Sequence, residues 1–387
     1  MIEKIGVLGA GFIGASLAVG LAKLGFKVTV IEQNVPQQGP ESFGVDIRSI
    51  AISPASKEYL ESLEIWPEAF SEPYYTLSIW EKNGVSNLEF NSADLGLPNL
   101  GWIVEASKFQ ARIWEKLDLF GVNKFLGAPV SLASSPDGVD VRFVDRCESF
   151  DLLIGADGAN SFVRRALSIP VKRTSTDQFA LATIVRSQFD HGGVALQKFL
   201  DNGPVAALPS VKKNVRTIIW SQNETEVNEK TKLSDSELCR RLEEVFGSRV
   251  GCVEEIGQRF VFPLMQQRVQ NFIPDQRVIM IGDAARSIHP LAGFGANLGF
   301  EDAKGLLEVA GSKGLDDQQA LSRYARRREI RSDYIIFLME SILRAYSNSS
   351  PTFSWLRKVA VDFIDDHGWI KNLIANEASG LGPIARF

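Results

Sequence analysis

Apolar and polar positions along this chain change period several times, and the changes mark its elements. Residues 4–8 form a short apolar run that ends in glycines, and residues 12–24 have helical period with Gly25 placed as the C-terminal cap. Residues 27–31 read as a second strand ending in Glu32. A loop rich in Pro, Gln and Gly covers 35–45, and 46–53 leads into a helical stretch ending at Trp66. Residues 74–90 alternate like a pair of strands, whereas 107–117 carry Phe109, Ile113 and Leu117 at four-residue spacing, a helical face. Residues 139–144 and 150–154 read as strands. From 179 to 221 the pattern becomes a series of strand-like runs at 179–185, 194–199, 205–208 and 217–220. Turn chemistry separates them at Asp190-His191-Gly192-Gly193 and Asp201-Asn202-Gly203-Pro204. A further strand at 277–281 and long helices from 298 onward complete the pattern.

These elements predict an α/β fold: a discontinuous Rossmann-like dinucleotide-binding domain interrupted by a mainly antiparallel β-sheet domain, with helices at the C-terminus. The expected boundaries are 1–73, 101–172 and 273–387 for the first domain and 74–100 and 173–272 for the second. The 387 residues, 45% hydrophobic and 23% charged, are ample for two cores. A net charge of -5 without Lys/Arg runs argues against nucleic acid. Three cysteines, Cys147, Cys239 and Cys252, lack metal-ligand spacing and suit a reduced compartment, so no metal is expected and the cytoplasm is the expected location. No apolar stretch reaches the ~20 residues that span a bilayer, which leaves the surface of an inner membrane as the alternative site.

Three separated motifs carry the chemistry. In Gly9-Ala10-Gly11-Phe12-Ile13-Gly14, Gly9 permits a tight turn, Gly11 lets a pyrophosphate approach the backbone, and Gly14 lets the helix pack on the strand. Glu32, about 20 residues on, is placed to accept hydrogen bonds from a ribose diol. The other motifs are Gly155-Ala156-Asp157-Gly158 and the segment from Gly282-Asp283 to Gly299. Neither has a reason to accompany the first unless the dinucleotide is FAD.

The middle segment, continuing through Ala159-Asn160-Ser161 to Arg164, resembles the class A flavoprotein monooxygenases of the para-hydroxybenzoate hydroxylase fold. So does the third, Gly282-Asp283-Ala284-Ala285 with His289-Pro290, Gly293, Gly295 and Asn297-Leu298-Gly299. Asp46, Arg48, Ala51, Ser53 and Ser56, then Gly101, Val104-Glu105 and Gln110, then Ala195, Gln197, Phe199, Gly203-Pro204 and Leu208-Pro209 are similar to the ubiquinone-biosynthesis hydroxylases within that family. The resemblance covers nearly the whole chain. It implies an FAD-dependent aromatic hydroxylase that consumes O2 through a flavin C4a-hydroperoxide. Its substrate would be a polyprenylated phenol, with another lipid or small aromatic, or a non-catalytic FAD-bound scaffold, as alternatives. No second glycine turn follows a strand, so NADPH or NADH is expected to bind only transiently.

On this resemblance Gly9, Gly11, Gly14, Glu32, Arg48, Gln110, Asp157, Gly158, Asp283, Gly295 and Asn297 would contact FAD. Arg48, His289, Pro290 and Gly293 would line the reaction site. Asp283 at a strand end can accept from ribityl hydroxyls, and the helix beginning near Gly295 can aim its positive end at the reduced flavin. Bland roles compete: helix N-cap for Asp283, turn-former for Asp157, surface cation for Arg48, packing for His289, and a solvated loop for His191. Departures from the family pattern stand at Gln33, Ala106, Arg286 and Phe294. Phe294 is expected to enlarge the apolar surface at the ring edge. Arg286 is expected either to steer an anion or to form a surface ion pair. The apolar residues at 334–346 are expected to pack on the FAD domain or to meet lipid or a partner. Association with a membrane or a biosynthetic complex, and pairing as a homodimer, stay open.

Overall fold

A computed structural model describes residues 2–82, 87–174, 177–289, 293–347 and 350–385. Its five-stranded parallel sheet has the order Asn123–Leu126, Lys27–Glu32, Lys4–Leu8, Leu152–Gly155, Val278–Met280. Helices cover one face, and the three-stranded sheet of Ser131–Ser135, Gly138–Arg142 and Cys147–Phe150 with the helix Phe162–Ala166 packs on the other, so its central strands are apolar on both faces and read in sequence as continuous runs. The helix Phe12–Lys23 packs Leu17 and Leu21 into the same core as Phe109 and Ile113 of the helix Ala106–Leu119 and Phe300 and Leu306 of the helix Phe294–Ser312. The carboxyl ends of the strands at 4–8, 27–32 and 152–155 converge, which is where an open parallel sheet binds its ligand.

The second large sheet runs Val253–Ile256, Gln178–Ser187, Val215–Asn223, Gly203–Pro209, Val194–Leu200, Thr76–Glu81, Asn87–Asn91, with Phe260–Pro263 also paired to Gln178–Ser187. Neighbours are antiparallel except Val194–Leu200 beside Thr76–Glu81, which are parallel. Alternation divides its faces. Trp80, Leu181, Leu196, Val205, Ile218 and Trp220 form a core with Leu238 and Leu242 of the helix Asp235–Phe246. The opposite face carries Phe199, which clusters with Phe294 and Leu298 and with Ile335 and Met339 of the helix Gln318–Ser347.

Two local expectations change. The apolar run at 150–154 belongs to two sheets: Cys147–Phe150 is antiparallel to Gly138–Arg142, and Leu152–Gly155 is parallel to Lys4–Leu8. The switch falls at Asp151, whose carboxylate accepts the N–H groups of Glu3 and Lys4 at 2.8 Å. The segment 334–346 is mostly packed, Ile335 and Met339 being fully buried against the Phe294 helix. Phe337 stays exposed, and further exposed apolar side chains gather at Trp355, Val359 and Phe363 of the helix Pro351–Asp366 and at Trp369 and Leu373 of Gly368–Ala378.

Candidate active site

The glycine turn is built by contact. Gly9 has φ +99°, and a Cβ there would lie 2.4 Å from the Ala156 carbonyl oxygen, while one on Gly14 would lie 2.0 Å from that of Gly9. The first and middle motifs are therefore pressed together backbone to backbone. Gly11 differs: nothing lies within 4 Å of the position its Cβ would take, and it begins the Phe12 helix without a side-chain cap. Uncapped N–H groups at an open position form an anion site. Helices starting at Pro54, Phe162, Glu224 and Asp235 instead have Ser or Asn caps.

Glu32 holds this turn, its two oxygens accepting the N–H of Ala10 and of Gln33 at 2.8 Å each. Gln110 donates to the carbonyl of Ala10 from the other side. A cavity of about 390 Å³ opens here, lined among others by Gly11, Glu32, Ala156, Asp157 and Gly158.

Asp157 uses one oxygen to cap the helix Phe162–Ala166, accepting from Phe162 N–H at 2.6 Å and Val163 N–H at 3.1 Å. Its other oxygen is buried without a partner, and burial raises the carboxyl despite those bonds and the Ser161 hydroxyl. Arg164, itself buried, donates to the carbonyls of Asp283 at 3.2 Å and Ala284 at 2.7 Å and to that of Ala159, which ties the middle motif to the third.

In the third motif the Asp283 carboxylate reaches open space and takes no hydrogen bond from any described residue. Protein surrounds its other sides, and that desolvation raises the carboxyl, with Arg286 and Arg164 opposing. Gly293 adopts a left-handed φ of 69° at the start of the Phe294 helix, which has no side-chain cap, and the Cβ direction of Gly295 is open. The Asn297 amide is engaged inside the protein: its oxygen accepts from Ser53 N–H at 2.8 Å, and its nitrogen donates to the carbonyls of Ala51 at 2.9 Å and Gly293 at 2.8 Å. Asn297 thus clamps strand Ser49–Ile52 to the helix start, with both amide N–H groups spent on protein and one lone pair of its oxygen left over. Arg48 is exposed and donates to Ser107 Oγ at 2.6 Å, beside the helix that carries Gln110. Pro290 lies outside the described residues.

His289 is buried, with Nε2 2.9 Å from Gln178 Oε1 and Nδ1 without a partner. Desolvation lowers its pKa to about 4, so the ring is neutral, Nε2–H donates to the amide oxygen, and Nδ1 is a bare acceptor.

Arg286 does neither thing expected of it. It is 2% exposed and pairs at 2.6 Å with the fully buried Asp302, which also accepts from Gly282 N–H at 3.0 Å and Arg328 Nε at 2.7 Å. Asp302 and Arg328 are supporting residues that the motifs did not reveal, because nothing at the Asp302 position signals that it faces back under Gly282. Phe294 is likewise packed within the Phe199–Leu298 cluster. His191 is buried rather than solvated: Nδ1 accepts from Gly193 N–H at 3.1 Å and Nε2 lies 2.9 Å from the Ser210 carbonyl.

The open position at Gly11 and the carboxylate at the next strand end share one cavity with Asp157, and Arg164 ties that middle motif to the third, which brings a free carboxylate at Asp283 and a second uncapped helix. That sequence of sites fits FAD from adenosine to flavin, and defines an FAD-dependent oxidoreductase. The pattern of the FAD binding domain family matches residues 3–336. The chain is 30% identical to 3-demethoxyubiquinol 3-hydroxylase of Escherichia coli over 98% of both chains. It is 29% identical to the ubiquinone hydroxylase UbiL of Rhodospirillum rubrum over 99% of this chain and 91% of that one. Among solved structures, p-nitrophenol 4-monooxygenase PnpA from Pseudomonas putida superposes with a TM-score of 0.77 at 19% identity, covering 99% of both chains. Klebsiella pneumoniae HpxO, complexed with FAD and uric acid, gives 0.75 at 19%, covering 99% of this chain and 98% of that one. At such identities those two speak to the fold alone. The chain belongs to the FAD binding domain family, in its branch of FAD-dependent monooxygenases of ubiquinone biosynthesis.

Proposed function

We propose that this protein hydroxylates the ring of a polyprenylated phenol, consuming O2 and NADH or NADPH. The observation that carries the substrate class is the sheet face that meets the Phe294 helix through Phe199, where Leu77, Ile79, Ala206, Leu208 and Ile219 remain only half-buried. Such a surface suits an aromatic ring with a hydrocarbon tail.

Gly9, Gly11, Gly14 and the Phe12 helix would hold the pyrophosphate, Glu32 the ribose, and Asp283 the ribityl hydroxyls. Gln110 and Asn297 would act by fixing the turn and the helix start. The Phe294 helix, with Gly293 letting Ala51 approach and Gly295 leaving the helix start open, would aim its positive pole at the flavin's pyrimidine edge. Arg48, Asp157 and Gly158 border the approach, and His289 offers its bare Nδ1 at the boundary with the large sheet. Bound FAD supplies the activation of oxygen. The chain supplies placement and excludes water.

Arg286 and Phe294 are built into the core, so they give no ground for reading the chain as a scaffold without turnover. Among the described residues no helix is long and apolar enough to cross a membrane. The exposed Trp355, Val359, Phe363, Trp369 and Leu373 support peripheral association with the membrane that holds a prenylated substrate.

Stopped-flow absorbance tests the reading. Anaerobic bleaching of the flavin by NADH or NADPH should accelerate when a 2-prenylated phenol is present, and oxygenation should yield the hydroxylated ring. Bleaching indifferent to the phenol, with no hydroxylated product, would refute it.

A further inference from the structure

On the sheet face that turns toward the flavin crevice, one polar side chain stands in an apolar row. Phe199 identifies the face, because it packs with Phe294 and Leu298 and stacks on Tyr346 with ring centroids 3.9 Å apart and an interplanar angle of 13°. Gln197 precedes it by two residues and shares its side, whereas the intervening register, marked by Leu196, Val205 and Trp80, belongs to the opposite core. Across the sheet Gln197 pairs with Ala206 and Ile79, and Ala206 with Ile219. Those three neighbours are half-buried, so the row borders open space. Gln197 is 8% exposed, and its amide makes no hydrogen bond to any described residue. In the adjoining row of the same face, the hydroxyl of the fully buried Thr217 also has no partner.

An amide with two donors and an acceptor that no protein group meets stands out in an apolar wall, where a strand needs no polar residue, and its polar end faces the open space beside the row. A ligand that fills this space would supply the partner. We propose that Gln197 orients the substrate: its carboxamide oxygen accepts from the hydroxyl of the phenolic ring, which turns one ring edge toward the flavin. A neutral amide suits this role better than a carboxylate, since it binds an uncharged ring oxygen without placing a charge in the apolar row. Thr217 would meet a second oxygen further along. The assignment rests on the phenol reading above.

The test uses the FAD-loaded protein, with 2-geranylphenol and its methyl ether as probes and the shift of the flavin absorption spectrum on binding as the readout. Wild type should bind the phenol about tenfold more tightly than the ether, the effect of one hydrogen bond. Gln197→Leu should bring the two to parity while keeping its FAD and a melting temperature close to wild type, because no protein group depends on the amide. Gln197→Asn should retain part of the preference. An undiminished preference in Gln197→Leu, whether or not the variant melts lower, overturns the assignment and leaves the phenol reading standing. Equal affinity for both probes in wild type does the same. Failure of wild type to bind either probe overturns the phenol reading and the assignment together.

Discussion

The buried pair under the third motif makes an asymmetric prediction. Asp302 has three partners, Arg286 at 2.6 Å, Arg328 at 2.7 Å and the N–H of Gly282 at 3.0 Å. Arg286 has one, and its Nε and second terminal nitrogen are buried without hydrogen bonds. In Asp302→Asn, Arg328 keeps Glu301 at 2.9 Å, but Arg286 loses its ion pair and keeps only the unbonded Asp283 carboxylate as counter-charge. Removing one member of a buried pair costs about 3–5 kcal/mol. That should lower the melting temperature by roughly 10 °C. Arg286→Met leaves Asp302 with Arg328 and Gly282 and deletes the two unmet donors, so its effect should stay within about 1 kcal/mol. The double variant should recover most of the loss. Circular-dichroism melts on FAD-depleted protein measure this without ligand linkage. The reasoning fails if Arg286→Met melts as low as Asp302→Asn, or if the double variant is no better than Asp302→Asn alone.

Asp283→Ala should weaken FAD binding on the order of 100-fold, the loss of charge-assisted bonds to hydroxyls, while the apoprotein keeps its melting temperature because no described residue depends on that carboxylate; equilibrium titration of flavin fluorescence and a melt of the same sample check both halves. The neutral His289 should make stability fall as pH drops. Its folded pKa of about 4 lies below the ordinary His value of about 6.5, so between those values the unfolded chain binds a proton that the folded chain does not, and roughly 3 kcal/mol is lost across the window. His289→Gln should flatten the urea-unfolding profile between those pH values, and an unchanged slope would assign the loss to other groups. Replacing Trp355, Phe363 and Trp369 together by Gln should cut cosedimentation with phospholipid vesicles at least about tenfold by removing exposed apolar area; equal binding would place the contact elsewhere.

What was legible in the sequence is what neighbouring residues decide. The turn at Gly9 to Gly14 announces itself because its glycine spacing between a strand and a helix is a local pattern, and the large sheet because its runs alternate between turn residues. The antiparallel partner at 147–150 was hidden because an apolar run does not show that Asp151 hands the chain from one sheet to another. Arg286 was misread because its counter-charge sits at 302, one helix later, and only the packing of that helix under Gly282 brings them together. His191 occupies a turn by sequence, yet the strands around it bury the ring and use both nitrogens. Asn297 falls within a cofactor motif, but its amide is spent on backbone more than 240 residues earlier, a contact that no local pattern signals.

The central claim is that the crevice beside Gly11 receives the pyrophosphate of FAD, and the side chain this glycine lacks is the probe for it. Gly11 has φ -67° and ψ -175°, a conformation open to any residue, and empty space where a side chain would project. Gly11→Val apoprotein should melt within about 2 °C of wild type, as a substitution whose Cβ has no protein atom beyond its chain neighbours within 4 Å does. Titrated with FAD, wild-type apoprotein should take up a single equivalent, and Gly11→Val should take up none. Uptake of FAD by Gly11→Val with wild-type affinity would contradict the account.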